Sequence, residues 1–307
     1  MIKKTLFFGN PAYLSLRSGQ LVISRPDDND LPDENGRFDV RTVPIEDIGV
    51  MVLDHRQITV TSGVLEALIA QNVAVISCDS KSMPVGLMLP LCGNTVQNER
   101  FRCQLDASLP LRKQLWQQTI EAKILNQAAV LKYSTGEEHL IMINWSNNVK
   151  SGDSENIEGR AAAYYWKNIF PQLQYFSRGQ NEAAPNNLLN YGYAILRAVI
   201  ARALVSSGML PTLGIHHHNR YDAYCLADDI MEPYRPYVDK LVVDVLKTGN
   251  LSPSLGKDMK AYLLSIPALE VNIDGHRSPL MIAASTTTAS LYKCFCGELR
   301  KIVYPEM

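Results

Sequence analysis

The apolar residues of this 307-residue chain change their spacing once, and that change limits what it can fold into. Up to about residue 93 they come in short runs or in alternation. Thr5-Leu6-Phe7-Phe8, Tyr13-Leu14-Ser15-Leu16 and Leu21-Val22-Ile23 are strand patterns, and the Ser18-Gly19 pair before the last is a hairpin signal. Pro26 to Gly36 is polar and reads as an exposed loop or hairpin tip. Ile48 to Leu53 and Ile58 to Val60 follow as strands. Thr61 or Ser62 then caps a short helix whose apolar face is Val64, Leu65, Leu68 and Ile69. Val73 to Ser77 and Val85 to Leu89 read as buried strands. The front of the chain, 1–93, is therefore a small β-rich domain, a sandwich or curled sheet.

Gly93, Asn94 and Asn98 make a polar linker, after which the apolar period becomes helical. Leu109 to Tyr133 carries Leu115, Ile120, Ile124 and Leu125. Leu188 to Ser206 and Val238 to Leu246 repeat the pattern. The expected fold class is α+β: a β-rich, sandwich-like N-terminal domain followed by a larger all-α domain over 98–307 that carries the candidate site. Hydrophobic content of 46%, charged content of 20% and a net charge of −1 are ordinary for a soluble protein. Near-neutral charge gives no global case for nucleic acid, so any such partner has to be met by local charge. No apolar run reads as a membrane span, and Met1-Ile2-Lys3-Lys4 does not open a signal peptide. The six cysteines contain no CxxC pair and read as reduced thiols of a cytoplasmic protein.

The chemistry concentrates between Leu213 and Pro236, which hold three of the six histidines with Asp228, Asp229 and Glu232. Imidazole and carboxylate together suit Mn²⁺, Mg²⁺ or Zn²⁺, although an Asp-Asp pair is more often a helix start. From Leu226 the pattern is helical. Asp229 and Glu232 share a face, and Pro233 and Pro236 then break the helix, which can aim a carboxylate into a cleft. The histidines precede that helix on a connection or short extended piece. Extended backbone would turn His217 away from His216 and His218. Glu158 is the other unusual position. It falls on the apolar stripe of Ala162, Tyr165, Trp166 and Ile169, where an unpaired carboxylate is costly. The alternative is that Glu158 sits in a first helical turn capped by Asp153, Ser154 or Asn156, facing the helix dipole.

Four segments carry a family resemblance: Glu158-Gly159-Arg160-Ala161-Ala162, Asn190-Tyr191-Gly192-Tyr193, Gly214 to Asn219, and Leu226 to Asp239 with its Asp-Ile-Met-Glu-Pro-Tyr-Arg-Pro run. Together they resemble the CRISPR-associated spacer-acquisition integrase, the first of the Cas proteins. Lys123-Ile124-Leu125-Asn126-Gln127 is similar to the form found in type II systems. The resemblance implies a metal-dependent DNA endonuclease and integrase that inserts captured foreign DNA into a CRISPR array by 3′-hydroxyl transesterification. It implies Glu158, His217 and Glu232 as catalytic metal ligands. It makes Asp229 an outer ligand or a group that orients one, and places Arg160, Asn219 and Arg235 at positions that contact DNA. For Arg160 and Arg235 an ion pair with these same acids is the competing role. The implied cofactor is Mg²⁺ or Mn²⁺, with the histidine favouring Mn²⁺. The implied partners are double-stranded DNA, as prespacer and CRISPR repeat, a second copy of the chain through the N-terminal domain, and the second CRISPR-associated protein in a heterohexameric integration complex. No membrane is involved. Replacing Glu158 or Glu232 with alanine is expected to abolish joining while sparing the fold.

Two other functions compete. A non-catalytic DNA-binding scaffold of the same complex would have no need of Glu158 on an apolar stripe. An unrelated zinc hydrolase would call for a His-Glu-x-x-His spacing, which is missing.

Overall fold

A computed structural model describes residues 3–24, 40–179, 183–249 and 255–307, and the Pro26 to Gly36 loop lies outside them. The chain divides into two compact units, Met1–Gly93 and Asn94–Met307.

The first unit contains β1 (Lys4–Phe8), β2 (Ala12–Arg17), β3 (Gln20–Ser24), β4 (Val40–Pro44), β5 (Ile48–Leu53), β6 (Ile58–Val60), α1 (Ser62–Ala70), β7 (Ala74–Cys78) and β8 (Pro84–Met88). They form two four-stranded sheets, in the orders β1-β5-β7-β8 and β4-β3-β2-β6. β5 is a continuous apolar run because it lies inside its sheet, parallel to both neighbours and buried along almost its whole length. β2 and β3 form the expected hairpin. Ser18 and Gly19 take φ of 49° and 73°, the left-handed pair that a two-residue turn between twisted strands requires. Leu14 and Leu21 from one sheet meet Ile48, Met51 and Val75 from the other, with Val64 and Leu68 of α1 completing the core. Leu65 and Ile69 of the predicted helix face are only half-buried, and Thr61 makes no capping hydrogen bond. β8 departs from expectation. Among the described residues it is an edge strand paired only with β7, and Val85 is 67% and Met88 40% exposed.

The second unit contains α2 (Gln97–Leu105), α3 (Leu109–Thr135), α4 (Leu140–Asn147), α5 (Ile157–Asn168), α6 (Asn186–Ser206), α7 (Cys225–Met231), α8 (Arg235–Lys247), α9 (Lys257–Leu263), β9 (Glu270–Ile273), β10 (His276–Pro279), α10 (Leu280–Phe295) and β11 (Pro305–Glu306). The expected polar linker is shorter than its composition suggested. Asn98 already belongs to α2, and Asn94 donates to the Ser206 carbonyl while accepting from the Val96 amide. The helical unit also carries a small antiparallel sheet in the order β10-β9-β11. β9 alternates exposed and buried residues, but four positions are too few to stand out among the helical patterns, and Asp274-Gly275 turns β9 into β10 with φ of 51° and 74°.

α3, with 27 residues, is about 40 Å long and forms the spine of this unit. It starts on a Ser108 cap that accepts from the Leu111 amide and ends on left-handed Gly136. α6 corrects the expectation about apolar runs. Its 21 residues are long and apolar enough by composition to cross a bilayer, yet 78% of its apolar window is buried inside the protein, as in a core helix. Arg197 and Arg202 had masked this run. Gly192 sits against α8: a Cβ there would stand 2.5 Å from Val238 Cγ1. One residue on, the Tyr193 hydroxyl donates to Asp239 Oδ1 at 2.5 Å and Tyr165 donates to Oδ2 at 2.8 Å. The Asn-Tyr-Gly-Tyr segment and the end of the Leu226 to Asp239 segment are thus parts of one packing unit.

Candidate metal centre

Four pieces of the second unit build the site: the start of α5, the face of α3 carrying Trp116 and Lys123, the connection from α6 to α7, and the helical break after α7. α5 begins where two side chains cap it together. Asn156 accepts from the Gly159 amide, and Asp153 accepts from the amides of Ile157 and Glu158. The buried seam of α5 is Ile157, Ala161, Tyr165 and Ile169; it keeps Tyr165 and Ile169 of the stripe expected from sequence, while Ala162 and Trp166 are half-buried beside it. Glu158 therefore stands at the edge of the seam with 25% of its side chain exposed, in the first turn and facing its neighbours at once.

At the other wall, α7 runs into one turn of tighter helix at Glu232–Tyr234 and then into α8. Pro233 and Pro236 occupy the first turns of these last two segments, where a missing amide costs nothing. Asn126 of α3 donates to the Pro233 carbonyl at 2.8 Å and fixes the break. Glu232 is left pointing inward, its side chain 7% exposed.

Lys123 connects the two acids. Its Nζ lies 2.6 Å from Glu158 Oε1 and 2.6 Å from Glu232 Oε2. Arg235 Nε approaches Glu232 Oε1 at 3.0 Å and also lies over the Tyr193 ring. Neither Glu232 Oε2 nor Arg235 Nε has an aligned hydrogen-bond partner, so these contacts are ion pairs set by charge rather than by direction. Burial alone would raise the Glu232 pKa, but Arg235 and Lys123 together hold it below the usual glutamate value. Burial would likewise depress Lys123, and the carboxylates of Glu232 and Glu158 more than reverse that.

The histidine connection is pinned from several sides. Gln104 of α2 donates to the carbonyls of Leu210 and Leu213 and accepts from the Leu210 amide, and the Pro211 carbonyl accepts from Leu226 and Ala227. The deeply buried Asp229 organises the rest. Its carboxylate accepts the amides of Ile215, His216 and His217 at 2.7, 2.9 and 3.3 Å, and Oδ1 lies 2.5 Å from His217 Nδ1. With Nδ1–H donated to Asp229, Nε2 is the nitrogen left for a cation. That bond is the main cause of a raised His217 pKa, opposed by burial, with Glu232 and Glu158 adding their fields. Gly214 completes the cradle: a Cβ there would sit 2.4 Å from the His217 carbonyl and 2.8 Å from Asp229 Oδ2.

The three histidines do not alternate as extended backbone would make them. The chain bends at Ile215 and His216. His216 stacks flat on Trp116 at 4.2 Å, and His217 meets the same indole edge-on at 5.6 Å. His216 and His217 therefore share one side, because Asp229 gathers three consecutive amides and the indole takes both rings. His218 is exposed. Asn219 is also exposed and spends its Oδ1 on the Tyr221 amide, and Arg160 is on the surface of α5. Arg235 is engaged by Glu232 and Tyr193, while Asp228 takes Arg197 in a two-pronged contact at 2.5 and 2.7 Å.

Among the described residues no three His, Cys, Asp or Glu side chains enclose a cation as they stand. The donors nevertheless fit one. Glu158 and Glu232 already converge on a cation, the Lys123 ammonium; a buried Glu232 oxygen has no aligned donor; and an oriented imidazole completes a nitrogen and oxygen set. A cavity of about 330 Å³ opens beside His217, His218, Asn219 and Arg112. A larger cavity of about 660 Å³, between α3, α4 and the chain end, is lined by none of Glu158, His217 and Glu232. Lys123 and Trp116 were missed as site residues. Both lie on the buried face of α3 with Ile120 and Gln127, and a lysine on such a face is the same signal that singled out Glu158.

Comparisons with known proteins identify the family. A family model described as CRISPR associated protein Cas1 matches residues 6–270. The CRISPR-associated endonuclease Cas1 of Neisseria meningitidis serogroup C is 34% identical over 292 residues, covering 94% of this chain and 91% of that protein. A CRISPR-associated Cas1 endonuclease of Francisella tularensis subsp. novicida is 26% identical over 282 residues, covering 82% of each. Among solved structures, a casposase bound to integration product has a TM-score of 0.78 at 20% identity, covering 98% of this chain and 92% of that one. A Cas1 protein from Thermotoga maritima has a TM-score of 0.72 at 14% identity, covering 96% and 97%. These two likenesses are likenesses of fold. The family match over most of its length, and the Neisseria relative beside it, make this chain a member of the CRISPR-associated Cas1 family.

Proposed function

We propose that the protein is a divalent-metal-dependent DNA endonuclease and integrase that joins captured DNA into a CRISPR array. The convergence of Glu158 and Glu232 on one buried cation, beside an imidazole oriented by Asp229, is the observation that carries this reading. Glu158, Glu232 and the Nε2 of His217 would hold Mg²⁺ or Mn²⁺. Such an ion, when bound, supplies Lewis-acid stabilisation of the charge that builds on a phosphate oxygen. The chain's own part is to orient and exclude. Asp229 keeps His217 in the tautomer with a free Nε2, Trp116 limits the positions of its ring, and Asn126 sets the break that aims Glu232. The reaction exchanges one phosphodiester for another: the attacking 3′-hydroxyl gives up a proton and the displaced 3′-oxygen gains one. It needs no nucleophilic side chain. Water in place of the 3′-hydroxyl gives cleavage, which agrees with the endonuclease name of the Neisseria relative.

The partners follow from the same reading. One solved relative in fold is bound to an integration product, and others are complexes of Cas1 with Cas2. They support DNA and the second Cas protein as partners, and the assembly we propose is a heterohexameric complex working on cytoplasmic DNA. Self-association through the N-terminal unit would cover edge strand β8, whose Val85 and Met88 are exposed. Light scattering at micromolar concentration tests this, a dimer being expected and a monomer contradicting it. Activity is tested by half-site joining of a prespacer to a repeat duplex under Mg²⁺. Joining by wild type and none by Glu158→Gln is the expected result; a non-catalytic scaffold would join in neither.

A further inference from the structure

We infer that Lys123 couples metal binding to DNA binding: its ammonium holds the point between Glu158 and Glu232 until a divalent ion and a DNA phosphate arrive together. The inference rests on the metal-centre reading above. Its first support is spatial. An ammonium 2.6 Å from one oxygen of each glutamate occupies the space in which a cation bridging those two oxygens would lie. Two cations cannot share it, so an entering ion has to displace Lys123.

The second support is a count of charge. The cluster holds three carboxylates, Glu158, Asp229 and Glu232, against two cations, Lys123 and Arg235. With His217 neutral this leaves one net negative charge. Adding a divalent ion would turn that into one net positive charge in a largely buried place, which is unfavourable. A phosphodiester carries the single negative charge that restores balance. Remove Lys123 and the same count is neutral with the ion alone, so the ion no longer needs the phosphate.

The third support is what surrounds the lysine. Trp116 lies two helical turns before it on the same face of α3, and the Lys123 side chain is only 10% exposed, so the ammonium is not a solvated surface charge that sits on the acids by chance. Arg235, the other cation, is engaged by Glu232 and by the Tyr193 ring. Lys123 is the more compact of the two and sits on a flexible stem. Once displaced, it is a positioning group free to turn to the phosphate that entered with the ion.

The experiment is a Mn²⁺ titration followed by electron paramagnetic resonance of the free ion, on the full chain, without and with a short duplex ending in 3′-deoxynucleotides so that no joining occurs. Wild type should bind Mn²⁺ about tenfold more tightly when the duplex is present, and by reciprocity bind the duplex about tenfold more tightly with Mn²⁺. Lys123→Met should bind Mn²⁺ about tenfold more tightly than wild type without DNA and gain little from the duplex. Lys123→Gln, which keeps a polar head, should do the same if the methionine variant folds poorly. Equal or weaker Mn²⁺ binding by a folded Lys123 variant, with His217→Ala still abolishing binding, overturns the role of the lysine alone. If His217→Ala binds Mn²⁺ as wild type does, the metal centre lies elsewhere and the inference falls with it.

Discussion

Asp229 Oδ1 lies 2.5 Å from His217 Nδ1 while the same carboxylate gathers three consecutive backbone amides. One buried acid therefore both shapes the loop and selects the tautomer of its histidine. Asp229→Asn keeps the size and an acceptor for the amides but loses the charge that holds Nδ1–H. It should weaken Mn²⁺ affinity by roughly 10–100-fold with a small change in Tm. Asp229→Ala also leaves the buried Ile215 amide unpaired, at about 1–3 kcal/mol, together with the half-buried amides of His216 and His217, and should be plainly destabilised. Calorimetric Mn²⁺ titration and a thermal melt separate the two effects.

The histidines give an internal control, now on a different footing. His216 and His217 share a side, and His216 stacks on Trp116. His217→Ala should eliminate joining. His216→Ala should cost about 0.5–1.5 kcal/mol of stability from the lost stack and keep most of the activity. Equal losses of joining in the two variants would mean that the rings act together.

The two glutamates should not behave alike on truncation. Glu232 faces Lys123 and Arg235 from a side chain 7% exposed, whereas Glu158 is 25% exposed. Glu232→Ala leaves buried Lys123 with Glu158 alone and takes the carboxylate from half-buried Arg235, and should cost about 3 kcal/mol, so the expectation that both alanine variants spare the fold has to be revised for this one. Glu158→Ala should be the milder. Urea unfolding of both variants measures the difference, and equal midpoints would contradict it.

How much of this could be read in the sequence depends on the range of the interaction involved. The Ser18-Gly19 hairpin and the apolar run of β5 are local patterns, and both were legible. The convergence of Glu158 with Glu232 was legible only through the family motifs, because they lie 74 positions apart along the chain. Lys123 stood in a quoted segment and was not assigned, since its depth is set by the packing of α3 against α5 and the Glu232 turn. The side shared by His216 and His217 depends on a bend that Asp229 imposes from a different element. No local pattern encodes it.

Asp239, which accepts from the Tyr193 hydroxyl behind Arg235, supplies a pH test. Burial raises its pKa from 3.8 to about 6, against the lowering effect of the Tyr193 and Tyr165 hydroxyls. The folded state thus holds the proton more tightly than the unfolded chain. The stability this gives is fully present below pH 3.8 and is lost as pH rises through about 6. About two pKa units correspond to about 3 kcal/mol. The stability of Asp239→Asn relative to wild type should therefore rise by up to about 3 kcal/mol between pH 4 and pH 7. A difference that stays constant over that range would contradict this.

The central claim, one cation shared by Glu158, His217 and Glu232, is tested most directly by anomalous diffraction from a crystal of the protein with a prespacer duplex soaked in Mn²⁺. A single strong peak bounded by Glu158, Glu232 and the Nε2 of His217, with the Lys123 ammonium moved away from it, is the predicted result. A peak elsewhere, or Lys123 still bridging the two glutamates with no peak between them, would contradict the account.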